Sequence, residues 1–151
     1  MLHTHIYNDI VPPYAAVAVT ACADAFGCNS HTQRFWSAVD CCMQHSWCGI
    51  FVWANPSFSM IAAILRHFLR CKIAQPIGTA LLLLVPIWDK EWYRVITSMK
   101  LTFERIRHFE PNSSLFTAPP LPANGSEGRR LCGSTNVAVE VYYVSVSSPN
   151  A

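Results

Sequence analysis

A chain of 151 residues, 52% hydrophobic and 13% charged, is sized for one domain with a sizeable core. Its net charge of +2 is too small to argue for nucleic-acid binding by itself, and no apolar run reaches the roughly 20 residues that span a bilayer. Seven cysteines, an odd number, argue against a disulfide framework and for a reduced, intracellular protein, and residues 1–5 show no secretory leader.

Residues 1–13 read as an irregular N-terminal segment ending at Pro12-Pro13, residues 14–146 as one domain, and residues 147–151 as a tail. Residues 15–21, Ala-Ala-Val-Ala-Val-Thr-Ala, read as a small-residue strand buried on both faces. A loop follows around Asp24, Gly27 and Asn29. Residues 33–39 are ambiguous, and residues 40–48 are irregular up to Gly49. Residues 50–54 form the second clear strand and run directly into Asn55-Pro56-Ser57-Phe58.

Ser57 or Ser59 is placed to cap a helix. On it Ile61, Ile64, Leu65 and Phe68 share one face, with Arg66, His67 and Arg70 off that stripe. Pro76-Ile77-Gly78 ends the segment, and residues 79–85 read as a continuous apolar strand. Asp89 can cap a second helix with Trp92, Val95, Ile96 and Met99 on one face, and residues 101–106 read as a strand. Residues 111–135, rich in Pro, Ser, Asn and Gly, form a long loop. In residues 136–146, Val137, Val139, Val141 and Tyr143 alternate with Ala138, Glu140, Tyr142 and Val144, which is a strand pattern. This order predicts a three-layer α/β domain with a mainly parallel sheet. Ligands in such sheets sit at the carboxyl ends of strands, and Asp24 and Asn55 each follow a predicted strand.

The Asn55-Pro56-x-Phe58 segment carries the most chemistry. An exocyclic aromatic amine is a poor nucleophile because its lone pair is delocalised into the ring. Two acceptors aimed at its N–H bonds favour a tetrahedral nitrogen, and the Asn55 side-chain oxygen with the Pro56 backbone carbonyl supplies such a pair. Phe58 is placed to stack on a flipped base, a contact worth about 1–3 kcal/mol. The plainer alternative is a turn after a strand, with Phe58 in the core.

Cys28-x2-His31 and Cys42-x2-His45-x2-Cys48 offer thiolates and imidazoles for zinc, although the paired Cys-x2-Cys knuckles of zinc ribbons are absent. The basic residues between Arg66 and Arg107 outnumber the acidic ones, and Arg66, Arg70 and Arg94 are the candidates for a DNA-facing surface.

Ala21-Cys22-Ala23-Asp24 with Asn29, then Phe35-Trp36-Ser37 and Trp47-Cys48-Gly49, then Val52-Trp53-Ala54-Asn55-Pro56-Ser57-Phe58 stand in a telling order. Leu84-Val85-Pro86 with Trp88 and Trp92, and Leu115-Phe116-Thr117-Ala118-Pro119, follow them. Together they resemble the phage-type and Dam-like DNA N6-adenine methyltransferase family, in the form carried by DIRS-type and related retrotransposons. The resemblance implies a Rossmann-like methyltransferase domain, S-adenosylmethionine as methyl donor, and adenine in DNA as acceptor. It further implies other domains of a retroelement polyprotein as partners and no membrane. Asn55, Pro56 and Phe58 would then bind the target amine, and Asp24, Asn29 and Asp40 the cofactor. No Gly-x-Gly follows the first strand, and Ser57 stands where the family usually has a second proline. Those departures motivate a second expectation, a catalytically decayed mobile-element domain with a nucleic-acid-binding or structural role. A small zinc module is the third.

Overall fold

A single six-stranded sheet organises the chain in the computed structural model, which describes residues 2, 4–11, 17–24, 26–28, 30–87, 101–112, 116–117, 131–132 and 137–146. Its strands are β1 (Val19–Ala23), β2 (Arg34–Ser37), β3 (Phe51–Ala54), β4 (Ala80–Ile87), β5 (Leu101–Phe109) and β8 (Ala138–Val146), in spatial order β2-β1-β3-β4-β8-β5. β6 (Phe116–Thr117) and β7 (Leu131–Cys132) form a separate antiparallel pair inside the segment expected to be loop throughout. Two α-helices occur among the described residues, α1 (Thr4–Ile10) and α2 (Ile61–Ala74).

The sheet is mixed, and this overturns the expected three-layer, Rossmann-like domain with a mainly parallel sheet. β2, β1, β3 and β4 run parallel through short ladders. β8 then runs antiparallel to both β4 and β5 through much longer ones, from Leu81↔Val144 to Ile87↔Ala138 and from Leu101↔Val146 to Phe109↔Val139. The physical reason is that periodicity reports which face a residue takes and not which way its strand points. Alternation of strands and helices suggested parallel pairing, but β8 satisfies its backbone by entering between β4 and β5. Pro86 fits inside β4 because the β3 ladder ends at Leu83, so its missing N–H removes no bond on that side.

Each sheet face has its own core. Val52, Ala54, Leu81, Leu83 and Val85 meet Ile61, Ile64, Leu65 and Phe68 of α2 on one face. Trp53, Leu82, Leu84, Val139 and Val141 meet Leu2, Tyr7 and Ile10 on the other. Full burial of each large apolar side chain contributes roughly 1.5–3 kcal/mol. α2 follows the expected stripe and buries Ile61, Ile64, Leu65, Phe68 and Cys71. Neither Ser57 nor Ser59 caps it. A 3-10 turn at Phe58–Met60 feeds the helix directly, and its first residue position carries no side-chain cap. At its far end Lys72 Nζ donates to the carbonyls of Pro76 and Thr79, both at 2.7 Å, tying the last turn of the helix to the turn before β4.

The irregular segment expected at 1–13 instead contains α1. Its Tyr7 and Ile10 are buried against the sheet, and Arg107 of β5 forms an ion pair with Asp9. The expected strand at 15–21 begins at Val19 and runs on to Ala23. The second helix, expected after Asp89, lies outside the described residues. No helix among the described residues is long and apolar enough to cross a membrane.

Candidate functional site

The three parallel strands β2, β1 and β3 end side by side, and each hands over to a candidate residue. Ala23 of β1 pairs with Ser37 of β2, and Ala21 of β1 pairs with Ala54 of β3. Asp24, Asp40 and Asn55 therefore follow the carboxyl ends of three adjacent strands. The chain leaves β1 on one side to make β2 and returns on the other side as β3. In open α/β sheets such a reversal of strand order opens a crevice between the outgoing loops.

Asn55 is half-buried, and its side-chain amide has no hydrogen-bond partner among the described residues. The strand before it is buried. Trp53 is 1% exposed and makes edge contacts with the rings of Tyr7 and His31 at 5.1 and 6.0 Å. Pro56 is buried and Ser57 exposed. The Ser57 carbonyl accepts the Met60 N–H at 2.9 Å, so the loop turns at once into α2. Phe58 opens the 3-10 turn, and its side chain lies outside what the structure describes.

Asp24 has a job within its own loop. Its Oδ1 accepts the N–H groups of Phe26 and Cys28 at 2.9 and 3.0 Å, and its carbonyl accepts the Gly27 N–H at 3.0 Å. This is the local ordering expected of Asp at a turn. Gly27 has φ +69, and a Cβ there would come within 2.4 Å of the Phe35 ring, so the turn demands glycine. Asn29, the other candidate on this loop, lies outside the described residues.

Cys22, just before the loop, is in the left-handed region at φ 63. The register explains why. β1 spends three steps between Thr20 and Ala23 while β2 spends two between Phe35 and Ser37, which is a bulge. A non-glycine residue in that region costs about 1–3 kcal/mol. Bulges and strained residues of this kind concentrate where a strand re-aims its end toward a site.

Asp40 follows a tight turn in which Ser37 Oγ accepts the N–H groups of Val39 and Asp40 at 3.2 and 3.3 Å. Its Oδ1 lies 2.6 Å from His45 Nε2, and the His45 ring stacks on Trp36 at 4.9 Å. Trp36 in turn stacks on Trp47 at 5.9 Å, and Trp47 meets His67 edge-on at 5.0 Å. His67 Nε2 reaches the His45 carbonyl at 2.8 Å. His45 and His67 are therefore packing residues that hold the post-β2 loop against α2.

A polar cluster on the β5–β8 ladder was not read from sequence. Glu140, 7% exposed, accepts from Tyr142 Oη at 2.9 Å and from Arg105 at 3.2 Å, and pairs with His108 Nδ1 at 3.2 Å. Burial pushes its carboxyl up, but the hydrogen bonds from Tyr142, His108 and Arg105 outweigh burial and hold it below the usual carboxylate range. The available signal was one carboxylate inside an otherwise Val/Tyr strand. Glu140 pairs with Val85, two positions past the Leu83 that pairs with Ala54, so the cluster stands level with Pro56 across β4.

An open groove of about 540 Å³ lies at the other ends of β1 and β2, lined by Tyr7, His31, Thr32, Gln33 and Arg34 among others. His31 stacks on Tyr7 at 4.1 Å. Burial lowers the His31 pKa to about 4 and raises that of Tyr7 to about 12, so both are neutral near pH 7. The expected zinc ligands do not assemble. Among the described residues no three His, Cys, Asp or Glu side chains could hold one ion. Of the basic residues singled out, Arg66 and Arg70 are exposed on α2, and Arg94 lies outside the described residues.

No family model matches the chain, and no curated protein matches it.

Proposed function

We propose that the carboxyl edge of β2, β1 and β3 is an S-adenosylmethionine-dependent methyl-transfer site acting on the N6 amine of adenine in DNA. The observation that carries this reading is the unpartnered Asn55 amide beside the β1–β3 reversal. The rest of the edge is ordered by hydrogen bonds within its own loops.

The cofactor would supply an electrophilic methyl group. Asn55 and the Pro56 carbonyl accept the N–H bonds of the amine, and Phe58 stacks on its ring. Holding the amine in line lowers the entropic part of the barrier without a covalent intermediate. Asp24 shapes the loop that meets the cofactor, with Asn29 on the same loop, and the exposed Asp40 carboxylate accepts from cofactor hydroxyls. The free thiols suit a reducing, intracellular compartment. As part of a retroelement polyprotein the domain would act beside other domains.

The test is transfer of a labelled methyl group from S-adenosylmethionine to adenine-containing DNA. Transfer by the wild-type chain and its loss in Asn55→Ala is the expected result, and unchanged transfer in that variant removes Asn55 from the site. One observation favours a second reading, a decayed domain that binds DNA without catalysis: Asp24 Oδ1 is occupied by its own loop. That reading expects no transfer from the folded protein, but salt-sensitive DNA binding weakened by neutralising Arg66 and Arg70.

A further inference from the structure

We propose that the groove at the amino ends of β1 and β2 binds a small organic anion that carries a carboxylate or a phosphate monoester. Arg34 takes its charge, and the Tyr7 hydroxyl and the His31 ring donate to it. The groove measures about 540 Å³, within the roughly 300–1,000 Å³ of small-ligand sites. It lies at the opposite end of these strands from Asp24 and Asn55, so it is separate from the methyl-transfer edge.

The observation that carries the proposal is a buried hydroxyl with nothing to bond. Tyr7 is 5% exposed and lines the groove, yet its hydroxyl has no hydrogen-bond partner among the described residues. Buried polar side-chain groups nearly always have one. The half-buried His31 ring beside it is in the same position, with neither nitrogen bonded to a described residue. The two rings stack at 4.1 Å with 8° between their planes, and Trp53 meets both edge-on, which holds them side by side. The loop that carries His31 is by contrast closed on itself. The His31 N–H donates to Thr20 Oγ1 at 3.2 Å, Thr32 Oγ1 donates to the Arg34 carbonyl at 2.6 Å, and Ser30 Oγ donates to the Thr32 carbonyl at 2.6 Å. The wall is built without a ligand, and two of its buried groups are left over.

The lining sets the sign of the ligand's charge. Among the described residues that line the groove there is no Asp or Glu. Arg34 has no carboxylate partner among the described residues, and its guanidinium lies over the Trp36 ring, 5.6 Å from the centroid. A guanidinium offers a planar fork of N–H donors that matches a carboxylate or a phosphate. Burial pushes the Tyr7 pKa up to about 12, so its hydroxyl is a donor at pH 7, and the neutral His31 ring keeps one N–H. The exposed Gln33 amide adds further N–H groups. A lining rich in donors and free of negative charge suits an oxyanion. Val17 and Ala18 supply the apolar surface for the carbon part of the ligand.

The experiment titrates the full chain with benzoate, with phenyl phosphate and with uncharged benzyl alcohol, and follows the Tyr7 and His31 ring signals by nuclear magnetic resonance. The expected result is saturable shifts at both rings with one of the two anions, at millimolar concentration or below, and much weaker binding of benzyl alcohol. The better anion tells a carboxylate ligand from a phosphate one. Tyr7→Phe removes only the hydroxyl, and it should weaken binding about tenfold while leaving stability unchanged or higher. Arg34→Gln should weaken binding by a similar factor and remove most of its salt dependence. If Arg34→Gln fails to fold, Tyr7→Phe decides. No saturable shift at these rings with either anion, equal binding of benzyl alcohol, or full binding by Tyr7→Phe would overturn the proposal.

Discussion

The two halves of the sheet treat their polar groups in opposite ways. In the antiparallel half, Glu140 is buried and each of its neighbours Arg105, His108 and Tyr142 is aimed at it. The parallel half ends in loops, leaves the Asn55 amide without a partner among the described residues, and holds Cys22 in a strained conformation. The first arrangement is complete without a ligand and reads as structure. The second holds a residue in a sparsely populated backbone conformation and an amide without a partner among the described residues, and the proposed binding edge rests on these features.

The largest expected effect tests the ground common to both halves. Trp53→Ala removes a fully buried ring that touches Tyr7 and His31, and should cost about 3–5 kcal/mol in denaturant unfolding. Glu140→Ala should cost about 1–3 kcal/mol, because it strips partners from a buried network, and should leave cofactor binding unchanged. A loss of cofactor binding in that variant would break the contrast between the halves.

Asp24→Ala should cost about 1 kcal/mol through its loop hydrogen bonds and also weaken cofactor binding, since the loop it orders is part of the edge. Asn55→Ala should change stability by less than about 0.5 kcal/mol, because its half-buried amide has no partner to lose among the described residues. Methyl transfer should nevertheless fall by about 100-fold or more. A large stability loss in Asn55→Ala would mean the side chain is structural after all.

Acid sharpens the comparison further. His31 has its pKa lowered from 6.5 to about 4 by burial, so the unfolded chain binds the extra proton first. Stability should therefore fall as pH drops from about 6.5 toward about 4, and His31→Gln should flatten that slope in urea midpoints measured across the window. Glu140 has a depressed pKa, so its contribution is present above the ordinary carboxylate range and is lost at still lower pH, as the solution falls through its folded value.

Much of the fold was legible because it is written in periodicity. The stripe Ile61, Ile64, Leu65, Phe68 gave α2, the apolar run before Pro86 gave β4, and alternating Val and Tyr residues gave β8. α1 was not legible. A seven-residue helix has little stability of its own and exists here because Tyr7 and Ile10 are buried by the sheet. Strand direction was not legible either, since Glu140 alternates identically in a parallel or an antiparallel ladder. Of the site, Asp24 and Asn55 were legible as residues that follow strands, whereas Asp40 was a candidate through the family resemblance alone, because residues 33–39 carry no clear period. What tertiary structure alone reveals is that Asp24 and Asp40 already have partners, while Asn55 has none among the described residues. The bulge at Cys22 left no trace in a strand of small residues.

The measurement that bears most directly on the carboxyl edge is a calorimetric titration of the folded chain with S-adenosylmethionine, repeated on Asp24→Ala. The account expects saturable one-site binding in the micromolar range that weakens in the variant. Absence of binding by a chain whose cooperative unfolding shows it to be folded would contradict it.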